Sequence, residues 1–151
     1  MHKNAKMVNR NERVKQSTVR EDSVLDYKTY VPIEQVVKKL NIWKSQKATI
    51  LYLSSHETKK AVDDDIFVLK KYFFPEGEVF YRKNNKNYAQ VAEEIMPDIL
   101  IEDDCESIGG KKKMTYTYIK PELKQKIKSI SVKEFGGIEH LPDNLEELKK
   151  L

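Results

Sequence analysis

A chain of 151 residues is long enough to bury one hydrophobic core, so a single domain is expected. Hydrophobic residues make up 39% of the sequence and charged residues 34%, and no apolar run approaches the roughly 18 residues of a membrane span, which argues against a membrane protein. The lone cysteine, Cys105, has no partner for an internal disulfide, and we expect a reducing, cytoplasmic environment.

The net charge of +4 is small but unevenly distributed. Residues 1–20 contain a single acid, Glu12, and six cations. The cations are Lys3, Lys6, Arg10, Arg13, Lys15 and Arg20. A basic arm of this kind could contact nucleic acid. A solvated, mobile segment is the favoured interpretation, because no aromatic residues lie between the cations to stack on bases. Residues 1–29 are therefore expected to be loop with at most a short helix.

Regular structure is predicted from Tyr30 onward. The stretch VPIEQVVKKLNIWKSQ has helical periodicity, with Pro32 in its first turn, and ATILYLSS is a continuous apolar run typical of a buried strand. A helix in ETKKAVDDDIFVLKKYF, a strand in EVFYR, a helix in NKNYAQVAEEI and a strand in DILIEDD follow. Pro121 can open a brief helix, IKSISVKEF is a fourth strand, Gly136 and Gly137 make a turn, and PDNLEELKKL is a closing helix.

Helices and strands thus alternate along the chain. This alternation predicts an α/β fold with an open, mostly parallel, Rossmann-like sheet and helices on both faces. Ligands bind such sheets beyond the carboxyl ends of the strands. Two predicted strands end in polar residues that could form a site: Ser54, Ser55 and His56 follow the first, and Glu102, Asp103 and Asp104 follow the third.

The acidic cluster at residues 102–104 is the strongest chemical signal. Adjacent carboxylates repel one another unless a cation or strong hydrogen-bond donors compensate, and Mg²⁺ does this while also holding a substrate phosphate. Ser54 or Ser55 could donate to that phosphate, and a cation near the second strand could neutralise its charge: Lys86, Arg82 or Lys83. The alternative is that the acids form a solvated strand-to-loop transition and that Ser54 simply ends a strand.

Two segments together resemble the haloacid dehalogenase (HAD) superfamily of phosphohydrolases. The run YVPIEQVVKKLNIWKSQKATILYLSSH is similar to the superfamily's second motif, and PDILIEDDCESI is similar to its fourth. The resemblance covers residues 30–151 and implies a Mg²⁺-dependent hydrolase acting on a small phosphorylated substrate. It also implies that Ser54 binds phosphate, that Asp103 holds the metal with Glu102 or Asp104, and that Lys86 is the third-motif cation, with Arg82 and Lys83 as alternatives.

The superfamily's first motif is absent from the chain. That motif is a strand ending in Asp-x-Asp, which supplies the nucleophile and the general acid–base, and no acid in residues 1–53 follows an apolar run. In the superfamily this strand is central, so its absence predicts two unpaired strand edges or direct pairing of the flanking strands.

Two explanations of this absence remain open. In one, the chain begins upstream of Met1 and residues 1–29 are a linker or cap remnant. In the other, the chain is a non-catalytic phosphate- or polyanion-binding or protein-interaction domain, which uses its basic N-terminal arm or docks on a partner that supplies the strand. In both, we expect little or no phosphatase activity from these 151 residues. The sequence does not indicate an oligomeric state.

Overall fold

Four strands form two separate parallel sheets. Strand β1 (Leu51–Leu53) pairs with β2 (Glu78–Phe80), and β3 (Ile99–Asp103) pairs with β4 (Lys128–Val132). The computed structural model describes residues 1–151. It is a mixed α/β structure with parallel strands, as the sequence predicts. It differs from the predicted open sheet in that the four strands form two sheets of two strands each. Strands β1 and β3 do not pair, which is one of the two arrangements expected when a central strand is absent.

Seven α-helices surround the sheets. They are α1 (Arg10–Thr18), α2 (Asp22–Leu25), α3 (Val36–Ser45), α4 (Lys59–Lys71), α5 (Tyr88–Ile95), α6 (Pro121–Lys124) and α7 (Leu145–Lys150). Short 3-10 turns cover Lys3–Met7, Tyr27–Thr29, Lys83–Asn85, Glu106–Ile108, Gly110–Lys113 and Tyr116–Tyr118. No helix combines the length and the apolar character that a membrane crossing requires.

Side-chain caps explain where several helices begin. The Asn87 side chain accepts a hydrogen bond from the Gln90 amide, and the Gln90 side chain accepts one from the Asn87 amide, which satisfies two unpaired donors at the start of α5. Asn144 caps α7 in a similar way by accepting from the Glu146 amide at 2.8 Å. The third helix starts at Val36 rather than at Pro32, because Glu34 has a positive φ of 43°, which is not helical and separates Pro32 from the helix.

The hydrophobic core has two parts, one on each face of β3. Trp43, Ile130, Leu141 and Leu148 form the first, against which Ile50, Ile99 and Ile101 pack. The second consists of Ala89, Ala92, Ile119 and Ile127, and Leu100 packs against it. The alternation of side chains along β3 thus sends Ile99 and Ile101 to one cluster and Leu100 to the other. This explains why β3 is a continuous apolar run instead of an alternating one.

Helix α3 is tied to the loop before α7 by two side chains. The Trp43 indole Nε1 donates to the Pro142 carbonyl oxygen at 2.9 Å. The stem of Lys39 is buried, and its Nζ donates to the Leu141 carbonyl oxygen at 2.6 Å and forms an ion pair with Asp143. Burial of a lysine stem with its charged head paired is a common way to cover apolar surface.

Gly77 is required by the close approach of β1 and β2. A Cβ atom at this position would lie 2.1 Å from the carbonyl oxygen of Ile50, which belongs to the backbone and cannot rotate away. Any side chain here would push the two strands apart.

Residues 1–29 are more ordered than the sequence indicates. They contain the nine-residue helix α1, and the side chains of His2 and Ala5 are buried. The Arg10 Nε donates to the Glu134 carbonyl oxygen at 2.9 Å, and the Arg13 Nε donates to the Ala5 carbonyl oxygen at 2.8 Å. Sequence periodicity missed α1 because polar contacts to distant residues hold it in place, while its own apolar residues are few.

We expect Trp43→Ala to lower the free energy of unfolding by about 3–5 kcal/mol, because the indole fills the centre of the first cluster. Urea unfolding followed by circular dichroism measures the change. Phe67→Ala on α4 is the matched control: Phe67 is 49% exposed, so the loss should stay within about 1 kcal/mol. Equal losses in the two variants would contradict this description of the core.

Candidate functional site

The carboxyl ends of β1 and β3 meet around Tyr88, the first residue of α5. Ser55, which follows β1, faces the Tyr88 hydroxyl. Asp103, at the end of β3, and Cys105 are close enough to raise the pKa of the same hydroxyl. The Arg82 guanidinium lies over the Tyr88 ring, with its central carbon 5.2 Å from the ring centroid. Residues from both sheets therefore share one rim.

The pKa of Tyr88 reflects this crowded environment. Burial raises it most, and the proximity of Cys105 and Asp103 raises it further. The contact with Ser55 and the positive charge of Arg82 oppose the increase. The phenol therefore stays protonated at neutral pH and can donate a hydrogen bond to an anion at this rim.

Ser54 is not oriented toward this rim. Its side chain is 8% exposed, its hydroxyl donates to the Asp65 carboxylate at 2.5 Å, and the same oxygen accepts from the His56 amide at 3.1 Å. Ser55 is exposed and is close enough to Tyr88 to lower the pKa of its hydroxyl. Of the two serines predicted to bind phosphate, Ser55 is the one whose hydroxyl is accessible.

Ser54, Asp65 and His56 form a connected network, but its order does not suit nucleophilic catalysis. The carboxylate lies between the other two groups, with Asp65 Oδ1 3.5 Å from His56 Nε2. An activated serine needs its hydroxyl hydrogen-bonded to the imidazole, with the carboxylate behind the imidazole. The network fixes the turn after β1, and the Tyr27 ring packs edge-on against His56 with the centroids 4.3 Å apart.

The three consecutive acids point in three directions. The Glu102 carboxylate accepts from the Thr115 amide at 2.6 Å and from the Tyr116 amide at 2.9 Å. Asp103 faces the opposite side of β3, is exposed, and accepts from the Cys105 amide at 2.8 Å. The structure therefore does not bring Glu102 and Asp104 to Asp103, and no group of three potential metal-ligating side chains forms.

Asp104 anchors the loop that follows β4. One oxygen of its carboxylate accepts from the Glu134 amide at 3.0 Å, and the other lies 3.0 Å from the Lys133 Nζ. Partial burial favours a higher pKa for Asp104, but the Glu134 amide, Lys133 and Arg10 together hold its pKa below the ordinary value. The carboxylate therefore stays ionised.

Glu134 extends this contact to the loop after β3. Its carboxylate accepts from the Ser107 amide and from the Ser107 hydroxyl, both at 2.7 Å. Arg10 pairs with Glu106 in the same loop. The segment that follows Asp103 is thus held from both sides, which fixes the direction of the Asp103 side chain.

Of the three cations predicted for the site, only Arg82 reaches the rim. It stacks on Tyr88, and its Nη2 donates to Glu57 at 2.6 Å. Lys86 pairs with Glu94 at 2.6 Å. Lys83 and Lys86 line a small cavity of about 90 Å³ beside β2 instead.

A Mg²⁺ ion needs one or two carboxylates and takes its remaining ligands from water and substrate phosphate. Asp103 can supply one of these, because a single backbone donor engages one of its oxygens and the side chain is exposed. Glu102 and Asp104 have their oxygens engaged by amides or by Lys133. The residues at the rim therefore fit a metal held by a single carboxylate.

Three structurally important residues were not identified from the sequence: Tyr88, Asp65 and Glu134. Tyr88 falls on the apolar face of α5, a pattern that favours a place in the core over a functional role. Asp65 was one of three consecutive acids on α4, with nothing to distinguish it from Asp63 and Asp64. A tyrosine directly after the N-cap Asn87 of a helix that follows a strand is a signal that could have been used.

Comparisons with known proteins gave no relative: no family model, no curated protein and no solved structure matches the chain.

Cys105 provides a chemical measure of the charge at the rim. Burial, the charge of Asp103 and a hydrogen bond to it raise the pKa of the Cys105 thiol to about 12, with Glu102 and Glu134 adding to the effect. We expect slow alkylation by iodoacetamide at pH 8, because the thiolate is the reactive form. Asp103→Asn should lower this pKa and speed alkylation by about tenfold for each unit of decrease.

The rate is measured as a function of pH for the wild type and the variant. Asp98→Asn is the control, because Asp98 is also exposed but precedes the opposite end of β3. A rate that is unchanged in Asp103→Asn would mean that the carboxylate does not act on the thiol.

Proposed function

We propose that this chain is a phosphate- and Mg²⁺-binding α/β domain of the HAD type, which binds a phosphomonoester and has little or no turnover by itself. One observation carries the proposal: around Tyr88, residues from two separate sheets place a serine hydroxyl, a guanidinium and an exposed carboxylate together. These are the donors, the cation and the metal ligand that phosphate recognition requires. In this proposal the two sheets are parts of one open parallel sheet.

Each group at the rim has a role in this proposal. Ser55 and Tyr88 donate hydrogen bonds to phosphate oxygens, and Arg82 balances the phosphate charge. Asp103 would hold Mg²⁺, which would supply Lewis-acid polarisation of the phosphate when bound. The Asp65 network holds the turn after β1, and the Glu134 network holds the loop after β3.

The basic N-terminal segment supports a polyanion-binding function less well. The side chains of Arg10 and Arg13 donate hydrogen bonds to other residues of this chain. The Nζ atom of Lys3 lies 3.4 Å from the Asp26 carboxylate. This leaves fewer cations for a nucleic-acid backbone than the sequence alone indicates.

We expect the chain to bind inorganic phosphate more tightly with Mg²⁺ than without it. Calorimetric titration with phosphate, in the presence and absence of Mg²⁺, measures both affinities. Asp103→Asn should abolish the Mg²⁺ enhancement and weaken binding by at least about tenfold, or 1.4 kcal/mol. Asp98→Asn should retain both affinities within about twofold, a difference of roughly 0.4 kcal/mol.

The two serines give an internal control for the same titration. Ser55→Ala should weaken phosphate binding and leave stability nearly unchanged, since the hydroxyl is exposed. Ser54→Ala should lower stability by about 1–3 kcal/mol, because Asp65 loses its donor. If phosphate binding were lost only in the folded Ser54→Ala variant, Ser54 would replace Ser55 in the site.

We also expect no hydrolysis of p-nitrophenyl phosphate above the level of a buffer blank, because the proposal assigns the exposed carboxylate at the rim, Asp103, to the metal and leaves no second carboxylate to act as a nucleophile. Release of p-nitrophenol is followed with Mg²⁺ present. Metal-dependent release that disappears in Asp103→Asn would contradict this expectation and would assign turnover to the chain itself.

A further inference from the structure

The inner edges of the two sheets each carry unpaired backbone groups. At the end of β1, the Ser54 amide donates to the Phe80 carbonyl oxygen at 2.8 Å. In a parallel ladder, alternate residues of a strand bond to the same neighbour, so Tyr52 also bonds to β2. Leu51 and Leu53 therefore direct their N–H and C=O groups to the other edge of β1, where no backbone or side-chain group of the chain meets them.

Strand β3 shows the same pattern. The Asp104 amide donates to Val132, and the Asp98 carbonyl oxygen accepts from Lys128, both at 2.9 Å. Even-numbered residues of β3 thus bond to β4, and Ile99 and Ile101 turn their backbone groups to the opposite edge. No hydrogen bond within the chain satisfies those groups either.

These two unpaired edges flank the same interior. Ile50, directly before β1, packs against the same cluster as Ile99 and Ile101. At the carboxyl ends of the two strands, Ser55 and Asp103 are both close enough to Tyr88 to shift the pKa of its hydroxyl. Strands β1 and β3 therefore run in the same direction between a shared core and a shared rim, yet they do not pair with each other.

The side chains at this position are apolar and incompletely covered. Leu51 is 39% exposed, and Ile99, Leu100 and Ile101 are only partly buried although they form one apolar run. Unpaired backbone groups next to apolar surface are costly, at about 1–3 kcal/mol for each buried group. Natural sheets pair or cover such edges.

We propose that an apolar β-strand of a partner polypeptide inserts between β1 and β3, parallel to both. A strand is the one element that presents N–H and C=O groups on two opposite edges, as two facing ladders require. The clusters on the two faces of β3 demand apolar side chains on both faces of the inserted strand, so Val, Ile or Leu must follow one another without alternation.

The outer edges of β2 and β4 are also unpaired, but each could offer an incoming strand only one ladder. The inner position offers two ladders and apolar contacts on both faces, which favours it over either outer edge. The carboxyl end of the inserted strand would arrive between Ser55 and Asp103, so the partner would add residues to the rim. Strand insertion itself does not depend on the proposed phosphate site.

The first test is amide hydrogen exchange of the full chain by NMR. We expect the four inner-edge amides to exchange at least about tenfold faster than the even-numbered amides of the same strands: Leu51, Leu53, Ile99 and Ile101 against Tyr52, Ser54, Leu100 and Glu102. Protection of the inner-edge amides in a monomer would mean that the chain satisfies them itself, and would overturn the proposal. Protection in a dimer would make a second copy the occupant and would also overturn it.

The second test adds the acetylated, amidated peptide Lys-Lys-Val-Ile-Val-Ile-Val-Lys-Lys. We expect saturable binding that slows exchange of the inner-edge amides on both β1 and β3. The same peptide with alternate amides N-methylated should not bind, because it loses donors and cannot approach closely. Absence of binding by the unmodified peptide, or protection of Val79 on the outer edge of β2 instead, would overturn the proposal.

A pair of proline variants locates the edge. Leu53→Pro removes an inner-edge donor without breaking a bond to β2, and it should weaken peptide binding by at least about tenfold. Val79→Pro removes an outer-edge donor from the same sheet and should leave peptide binding unchanged. Equal affinities in the two variants would place the peptide elsewhere. Calorimetric titration with phosphate stays a separate measurement, so failure of strand insertion and failure of the phosphate site are distinguishable.

Discussion

Backbone hydrogen bonding between parallel strands is the constraint on which the structure depends. Each of the two ladders satisfies one edge of its strands and leaves the other edge unpaired. A two-stranded parallel sheet is weak by itself, since such sheets normally have both faces covered and several strands. The helices compensate by covering the faces: α3 and α7 pack on one side of β3, and α5 packs on the other. What the helices cannot do is supply backbone partners.

The strand elements were predictable from the sequence, and their pairing was not. Continuous apolar runs identified β1 and β3, and the boundaries differ from the predictions by a few residues because caps such as Asn87 set where helices begin. Which strands hydrogen-bond depends on long-range geometry that periodicity does not contain. The position of α1 depends on contacts of the same long-range kind, in which Arg10 donates to the Glu134 carbonyl oxygen and Arg13 donates to the Phe135 carbonyl oxygen.

The candidate site was predictable as a location but only partly as a set of residues. The rule that ligands bind at the carboxyl ends of parallel strands led to Ser55 and Asp103, and the structure brings both to Tyr88. The rule does not say which neighbouring side chain points outward. Because side chains alternate along a strand, Glu102 points away from Asp103. In the turn after β1, the Ser54 hydroxyl donates to the Asp65 carboxylate instead of facing the rim. Among the cations, only Arg82 has an aromatic ring to lie on at the rim.

The three acids at the end of β3 therefore have different roles. Glu102 and Asp104 hold backbone amides of two different loops, whose donors would otherwise be unpaired near the core. By fixing those loops, the two acids determine where Asp103 projects, and they leave its charge as the exposed one of the three. Three adjacent carboxylates can coexist because amides or a lysine balance two of them, and not because one ion binds all three. A strand that inserts beside β3 would end next to the one carboxylate left available.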